Sequence, residues 1–178
     1  MKQIEILYKD EWVELHKIVY PEKNVKGYVY SHEVKCDGKK VAILPYRKNG
    51  NEIEFFLRHE YTPCWELEDL VISSVTGSVE HGDTKIKTAL KELKEETGYE
   101  ITEKELIDLG ECFGVKSNDN VYYLYSCDLT DQEEGEVEGD GTELEEQAHM
   151  EWEKSIKDAK DPLVHIMYFR LLEKIRDE

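Results

Sequence analysis

From Gly77 to Tyr99 the chain reads GSVEHGDTKIKTALKELKEETGY, a glycine-bearing turn that runs into an amphipathic helix. A helix over 84–97, with Asp83 or Thr84 as N-cap and Gly98 just past its end, follows from the capping signals. Its apolar positions Ile86, Ala89, Leu90 and Leu93 recur at helical spacing, so one face must pack on a neighbouring layer. The same helix places Glu92, Glu95 and Glu96 within one turn of each other. Like charges three or four residues apart on a helix repel by about 0.2–0.5 kcal/mol per pair. Lys91, four residues before Glu95, offsets part of that repulsion. Alone, such a trio would be a solvated acidic face. Framed by Gly77 and Gly98, it has the donor set of a hard-cation site, with oxygen ligands suited to Mg²⁺ or Mn²⁺.

The rest of the chain supplies a sheet for that helix. Strand-like runs cover 4–8 and 12–20, then 28–36, 40–47 and 52–58. Asp37-Gly38 and Asn49-Gly50 are two-residue hairpin signals, so the last three runs are expected as a meander. The stretch from Thr62 to Trp65 reads as a loop, and 70–76 as a single strand delivering the chain to Gly77. Strands are expected over 106–115, 121–129 and 150–152, and a terminal helix over 161–177 with Pro162 at its first turn. Between them, nine of the sixteen residues in 131–146 are Asp or Glu, which reads as a mobile acidic loop. The pattern is α+β, a mixed sheet between helices. At 178 residues the chain is long enough for one domain and short for two.

A formal net charge of −18 argues against a nucleic-acid polymer as partner, because phosphate backbones are held by Lys and Arg. A small phosphorylated substrate bridged by a divalent ion fits the balance. No run of eighteen apolar residues is present, so no membrane span is expected. Charges interrupt the N-terminal residues, which do not read as a signal peptide. Cys36, Cys64, Cys112 and Cys127 are widely spaced, the pattern of reduced thiols in a cytoplasm.

The 77–99 stretch resembles the Nudix box: Gly, five residues, Glu, seven residues, Arg-Glu, an apolar residue, any residue, Glu-Glu, any residue, Gly, and an apolar residue. Seven of its nine constrained positions match, with Asp83 in place of the first Glu and Lys91 in place of the Arg. The resemblance implies an α/β/α sandwich with a mixed sheet and an N-terminal strand extension over 1–30. It also implies a single hydrolase domain over 1–178 that cleaves a diphosphate bond. By position, Glu92, Glu95, Glu96 and the backbone at Gly77 become metal ligands, and Glu95, Glu96 and Lys91 catalytic residues. A distal catalytic glutamate belongs to the acidic loop, where Glu143, Glu145 and Glu146 are candidates and Glu145 is preferred. Lysine keeps the charge of the family's arginine and loses its two-pronged geometry; Asp83 shortens the reach of what is expected to be the same tie.

Arg58, at a strand end leading towards the box, is a candidate for a substrate phosphate. Trp12, Tyr28 and Tyr30 are candidates for stacking a nucleobase. His59 and His81 lie near the expected cleft, with His81, in a turn, expected to be exposed, and Cys64 is expected as a packed thiol. The layout before the box resembles the ADP-ribose and ADP-sugar pyrophosphatases, whose N-terminal strands often build a homodimer. The Leu-Pro-Ala-Gly lead-in to the box is replaced here by Ser74-Val75-Thr76-Gly77. The downstream proline that marks ADP-ribose preference is missing from the region of Cys112-Phe113-Gly114-Val115. Three readings stand: a Mg²⁺-dependent pyrophosphohydrolase acting on a nucleotide sugar or nucleoside triphosphate, a non-catalytic nucleotide-binding module on the same fold, and an isopentenyl-diphosphate isomerase-like protein using Cys64.

Overall fold

A computed structural model describes residues 1–65, 68–137 and 147–176. Alternation along the strands decides the architecture. In β4 (Lys39–Asn49), Val41 and Ile43 point to one side of the sheet while Ala42 and Leu44 point to the other, and all four are fully buried. A strand apolar on both faces must be covered on both. The helix α1 (Lys85–Thr97) covers the first face with Ala89 and Leu93. The helix α2 (Pro162–Arg176) covers the second with Leu163, Val164, Met167 and Leu171. The result is the expected α/β/α sandwich.

The central sheet runs β10 (His149–Glu153), β5 (Glu52–Glu60), β4, β9 (Val121–Asp128), β8 (Ile107–Phe113). β4 and β9 are parallel and the other pairs antiparallel, so the sheet is mixed. The run 70–76 is not one strand. It divides at Ser74 into β6 (Val71–Ser73), which pairs with β5, and β7 (Val75–Ser78), which pairs with β4. The break is fastened by Asp161, whose carboxylate accepts from the Ser74 backbone N–H at 3.1 Å and its hydroxyl at 2.6 Å.

The expected three-strand meander is also corrected. β3 (Val25–Glu33) leaves the central sheet and joins β1 (Gln3–Lys9) and β2 (Val13–Tyr20) in a separate antiparallel sheet. The Asp37-Gly38 turn does form, with φ of 50° and 67°, and Lys39 N–H donates to the Cys36 carbonyl at 2.9 Å. It joins two sheets because β4 is already paired on both edges, by β9 on one and by β7 and β5 on the other. Among the described residues no helix is long and apolar enough to cross a membrane.

Candidate active site

The site grows from α1. Thr84 is its N-cap, accepting from Lys87 N–H at 3.2 Å, and Gly98 ends it in the left-handed region at φ 74°. Burying Ala89 and Leu93 against the sheet sets Glu92 and Glu96 along the edge of the buried face, over β7 and beside Arg58 of β5, with Glu95 further round the helix. Gly77 is not the turn residue anticipated. It lies inside β7, opposite Val41 with ordinary backbone angles, and the turn falls later, through Gly82 at φ 97°. What Gly77 contributes is space. A Cβ there would overlap Cγ, Cδ and Oε1 of Glu92, so the Glu92 side chain lies directly over this bare stretch of strand.

Arg58, on β5, is ion-paired with Glu96, and its Nε stands 3.2 Å from Glu60 Oε2. Ser73 donates to the other Glu60 oxygen at 2.7 Å. The Arg58 and Glu96 side chains are both largely buried. Burial pushes the Glu96 carboxyl up to about 7; Arg58 pulls against that rise, and the Glu92 and Glu60 charges add to it. Removal from water therefore outweighs the single guanidinium, as expected where two further carboxylates crowd the same place. Such a carboxylate is poorly neutralised by the protein alone and suits a cation.

The two departures from the box do not act on one tie. Lys91 Nζ is 3.4 Å from Glu95 one turn ahead, and its ammonium is held above the usual lysine range by Glu95 first, then by Glu92 and Glu80. Asp83 instead pairs with Lys87 one turn along. Shortening Glu to Asp at position 83 thus leaves the Lys91–Glu95 contact untouched.

Arg58, Glu95, Glu96, Phe56, Glu134, Val137, His149 and Met150 line a cavity of about 310 Å³. Of the residues expected at the site, Glu92 and Gly77 adjoin this group, whereas Lys91 stands outside the lining, half exposed. Glu143, Glu145 and Glu146 lie outside the described residues. Tyr28 and Tyr30 belong to the N-terminal sheet and Trp12 to its β1–β2 turn, none of them lining the cavity: Lys35 covers the Trp12 ring, Tyr28 donates to the Lys116 carbonyl, and Tyr30 contacts His16. His81 is exposed in the turn. Cys64 is an exposed thiol rather than a packed one, because the loop carrying it does not fold onto the core.

Sequence reasoning missed Glu60, Glu134 and the apolar wall. Phe56 stacks on Trp152 with centroids 4.5 Å apart, and Tyr99 meets Phe56 edge-on at 5.8 Å. Glu134 reaches the cavity because Gly135 N–H donates to the Gly98 carbonyl at 3.0 Å, an approach that a side chain on Gly98 would block. Met150 is signalled by the alternation of β10, whereas Phe56 breaks the Ile53/Phe55/Leu57 alternation of β5 and so had no periodic signal.

The family model described as NUDIX domain matches residues 38–167 of the chain. The chain is similar to the ADP-ribose pyrophosphatase of Saccharomyces cerevisiae (strain ATCC 204508 / S288c), 30% identical over 96 residues. That match spans 50% of this chain and 41% of the relative, so the chain covers less than half of the curated relative's length. Among solved structures it resembles an ADP compounds hydrolase with a TM-score of 0.69 and 17% identity, over 98% of this chain and 92% of the other. It also resembles a NUDIX hydrolase from Listeria monocytogenes str. 4b F2365, with a TM-score of 0.56 and 19% identity, over 78% of this chain and 94% of the other. At these identities the structural likenesses speak for the fold.

Proposed function

The chain belongs to the Nudix family of hydrolases, and we propose that it is a divalent-metal-dependent pyrophosphohydrolase cleaving a nucleoside diphosphate linked to another moiety, an ADP-ribose-type substrate. The observation that carries this reading is Glu92 laid across Gly77, beside a buried Glu96 with a raised pKa. A bare backbone under one carboxylate, with two more on the same helix face, fits a hard cation. Glu92, Glu95, Glu96 and the backbone at Gly77 would hold Mg²⁺ or Mn²⁺. When bound, the ion neutralises diphosphate charge and polarises a phosphoryl oxygen.

The chain's own residues supply the rest. Arg58 orients Glu96 and borders the cavity, which sets it beside a diphosphate lodged there. Glu95, held by Lys91, would hold the attacking water, and Glu145 from the acidic segment is the proposed base that takes its proton. Phe56, Met150 and Val137 offer an apolar wall to the nucleoside. The ADP-ribose class is supported by the name of the yeast relative, and a nucleoside triphosphate is the next substrate to compare. We further propose that the chain works as one domain over 1–178, with the N-terminal strands serving as the contact of a homodimer. The binding-module reading lacks support because the ligand carboxylates are all present. The isomerase-like reading is disfavoured by Cys64, which is exposed and outside the cavity.

The test is a phosphate-release screen over ADP-ribose, nucleotide sugars, dinucleoside polyphosphates and nucleoside triphosphates with Mg²⁺ or Mn²⁺. Glu96→Gln should lower kcat by on the order of 100-fold or more for any substrate found, the scale of losing a charge-stabilising group. Turnover unchanged by that substitution would remove the site assignment. Binding of these compounds without hydrolysis would move the chain to the binding-module reading.

A further inference from the structure

Three side chains to which the proposed hydrolysis assigns no chemical step gather on the side of the β5–β10 ribbon away from α1, His149 also reaching the rim of the cavity. His59 and His149 are direct partners across the two strands, their rings stacked with centroids 5.0 Å apart and planes 17° from parallel. Glu151 follows His149 by two residues, so it shares that face. One ligand atom from each of the three lies within 4.8 Å of the others. Glu153, next on the same face, brings Oε1 to 3.3 Å from His59 Nε2. The intervening Met150 and Trp152 pack on the α1 side, where Arg58 and Glu96 meet. The cluster and the α1 carboxylates therefore share no ligand.

His59 Nε2 is buried and makes no hydrogen bond among the described residues, although two carboxylates stand near it. A buried polar atom in that condition calls for a partner. Imidazole nitrogens with one or two carboxylates are the donor set of Zn²⁺ and its borderline neighbours Co²⁺, Ni²⁺ and Cu²⁺, whereas Mg²⁺ prefers oxygen alone. Ligand atoms around tetrahedral zinc, at roughly 2.0–2.2 Å from the metal, are roughly 3.3–3.5 Å apart, so the trio must draw in slightly. The exposed pair can do so: the side chains of His149 and Glu151 are 53% and 59% exposed, and His59, at 16%, is the fixed point.

We infer that His59, His149 and Glu151, with Glu153 beside them, form a site for a Zn²⁺-class divalent ion, separate from the α1 carboxylates. The ion would staple the edge strand β10 to β5. Because His149 also borders the cavity, an occupied site would fix that part of its wall. The inference is independent of the proposed hydrolysis.

The test uses the full chain in excess Mg²⁺, which occupies oxygen sites first. Co²⁺ should bind at one equivalent and give the visible absorption of a low-coordinate, nitrogen-containing site, displaced by Zn²⁺. Zn²⁺ should raise Tm, since an ion that binds only the folded chain stabilises it. His149→Gln, at an exposed position that leaves the core intact, should lose the Co²⁺ absorption and weaken Zn²⁺ by about 10-fold or more, in line with the cost of disturbing a metal's ligand sphere. His59→Gln should act alike, and Glu96→Gln should leave both signals in place. A Co²⁺ signal that survives both histidine substitutions, or that disappears in Glu96→Gln, overturns the inference. So does a wild-type Tm indifferent to Zn²⁺.

Discussion

At Gly77 what matters is the missing side chain, because Glu92 occupies the volume a Cβ would fill. Gly77→Ala should therefore push Glu92 off β7. A small-to-large change in a packed place costs about 1–3 kcal/mol, measurable as a lower urea midpoint at unchanged m-value. Mg²⁺ affinity by calorimetry should fall with it. A variant that keeps wild-type stability and Mg²⁺ affinity would show that Glu92 does not need the bare strand. The three helix glutamates were legible because spacing on one helix is local information. Glu60 was not, since it reaches the site by tertiary packing against Arg58 rather than along the helix. The pairing of Asp83 with Lys87, like that of Lys91 with Glu95, follows i,i+4 spacing; only the tie carried over with the box pointed Asp83 elsewhere. Glu134 arrives only through the backbone contact of Gly135 with Gly98.

At the scale of elements, the sequence announced the existence of strands and helices better than their partners. The run 70–76 has one continuous apolar and β-branched pattern, and nothing local says that it changes neighbours at Ser74. That change depends on Asp161, distant in the chain, which holds Ser74 and also accepts from Leu163 N–H at 2.8 Å at the start of α2. Asp161→Ala would strand buried donors at both elements. The expected loss is about 2–4 kcal/mol, combining a lost helix cap with unsatisfied buried groups, read from urea unfolding. The N-terminal sheet carries a pH dependence of its own. Lys9, at 2.6 Å, and His16 hold the Glu14 carboxyl down at about 2, well below its ordinary 4.5. A depressed carboxyl contributes stability that is complete above the unfolded value and is lost as pH falls through the folded one. Hydrogen-exchange protection factors in β2 and β3, with the intrinsic rate divided out, should therefore fall between about pH 4.5 and 2, and Glu14→Gln should flatten that response. Equal acid sensitivity in the variant would place the effect elsewhere.

Seen whole, the molecule is a covered sandwich with an uncovered appendage. The central sheet has a helix on each face, while the N-terminal sheet leaves Ile4, Ile6 and Tyr28 at 50%, 52% and 46% exposure. Register puts Ile4, Ile18 and Tyr28 side by side, and β1 is an edge strand with no further partner among the described strands. An apolar face next to an open strand edge is a surface that proteins usually cover. A second copy suits it, since an isologous contact offers each chain the same face and edge. Charge opposes that contact: each copy brings a formal −18, and two such bodies repel unless salt screens them. The dimer should therefore strengthen as salt rises, the opposite of an association steered by complementary charge. Sedimentation at low and at roughly physiological ionic strength, where the Debye length is about 8 Å, should show the monomer fraction falling with salt. Ile4→Glu with Ile6→Glu should return the protein to monomer at both, with the central sandwich still folded by circular dichroism. A wild type that stays monomeric at every salt concentration, or a dimer indifferent to both substitutions, would assign the apolar face to something other than a second copy.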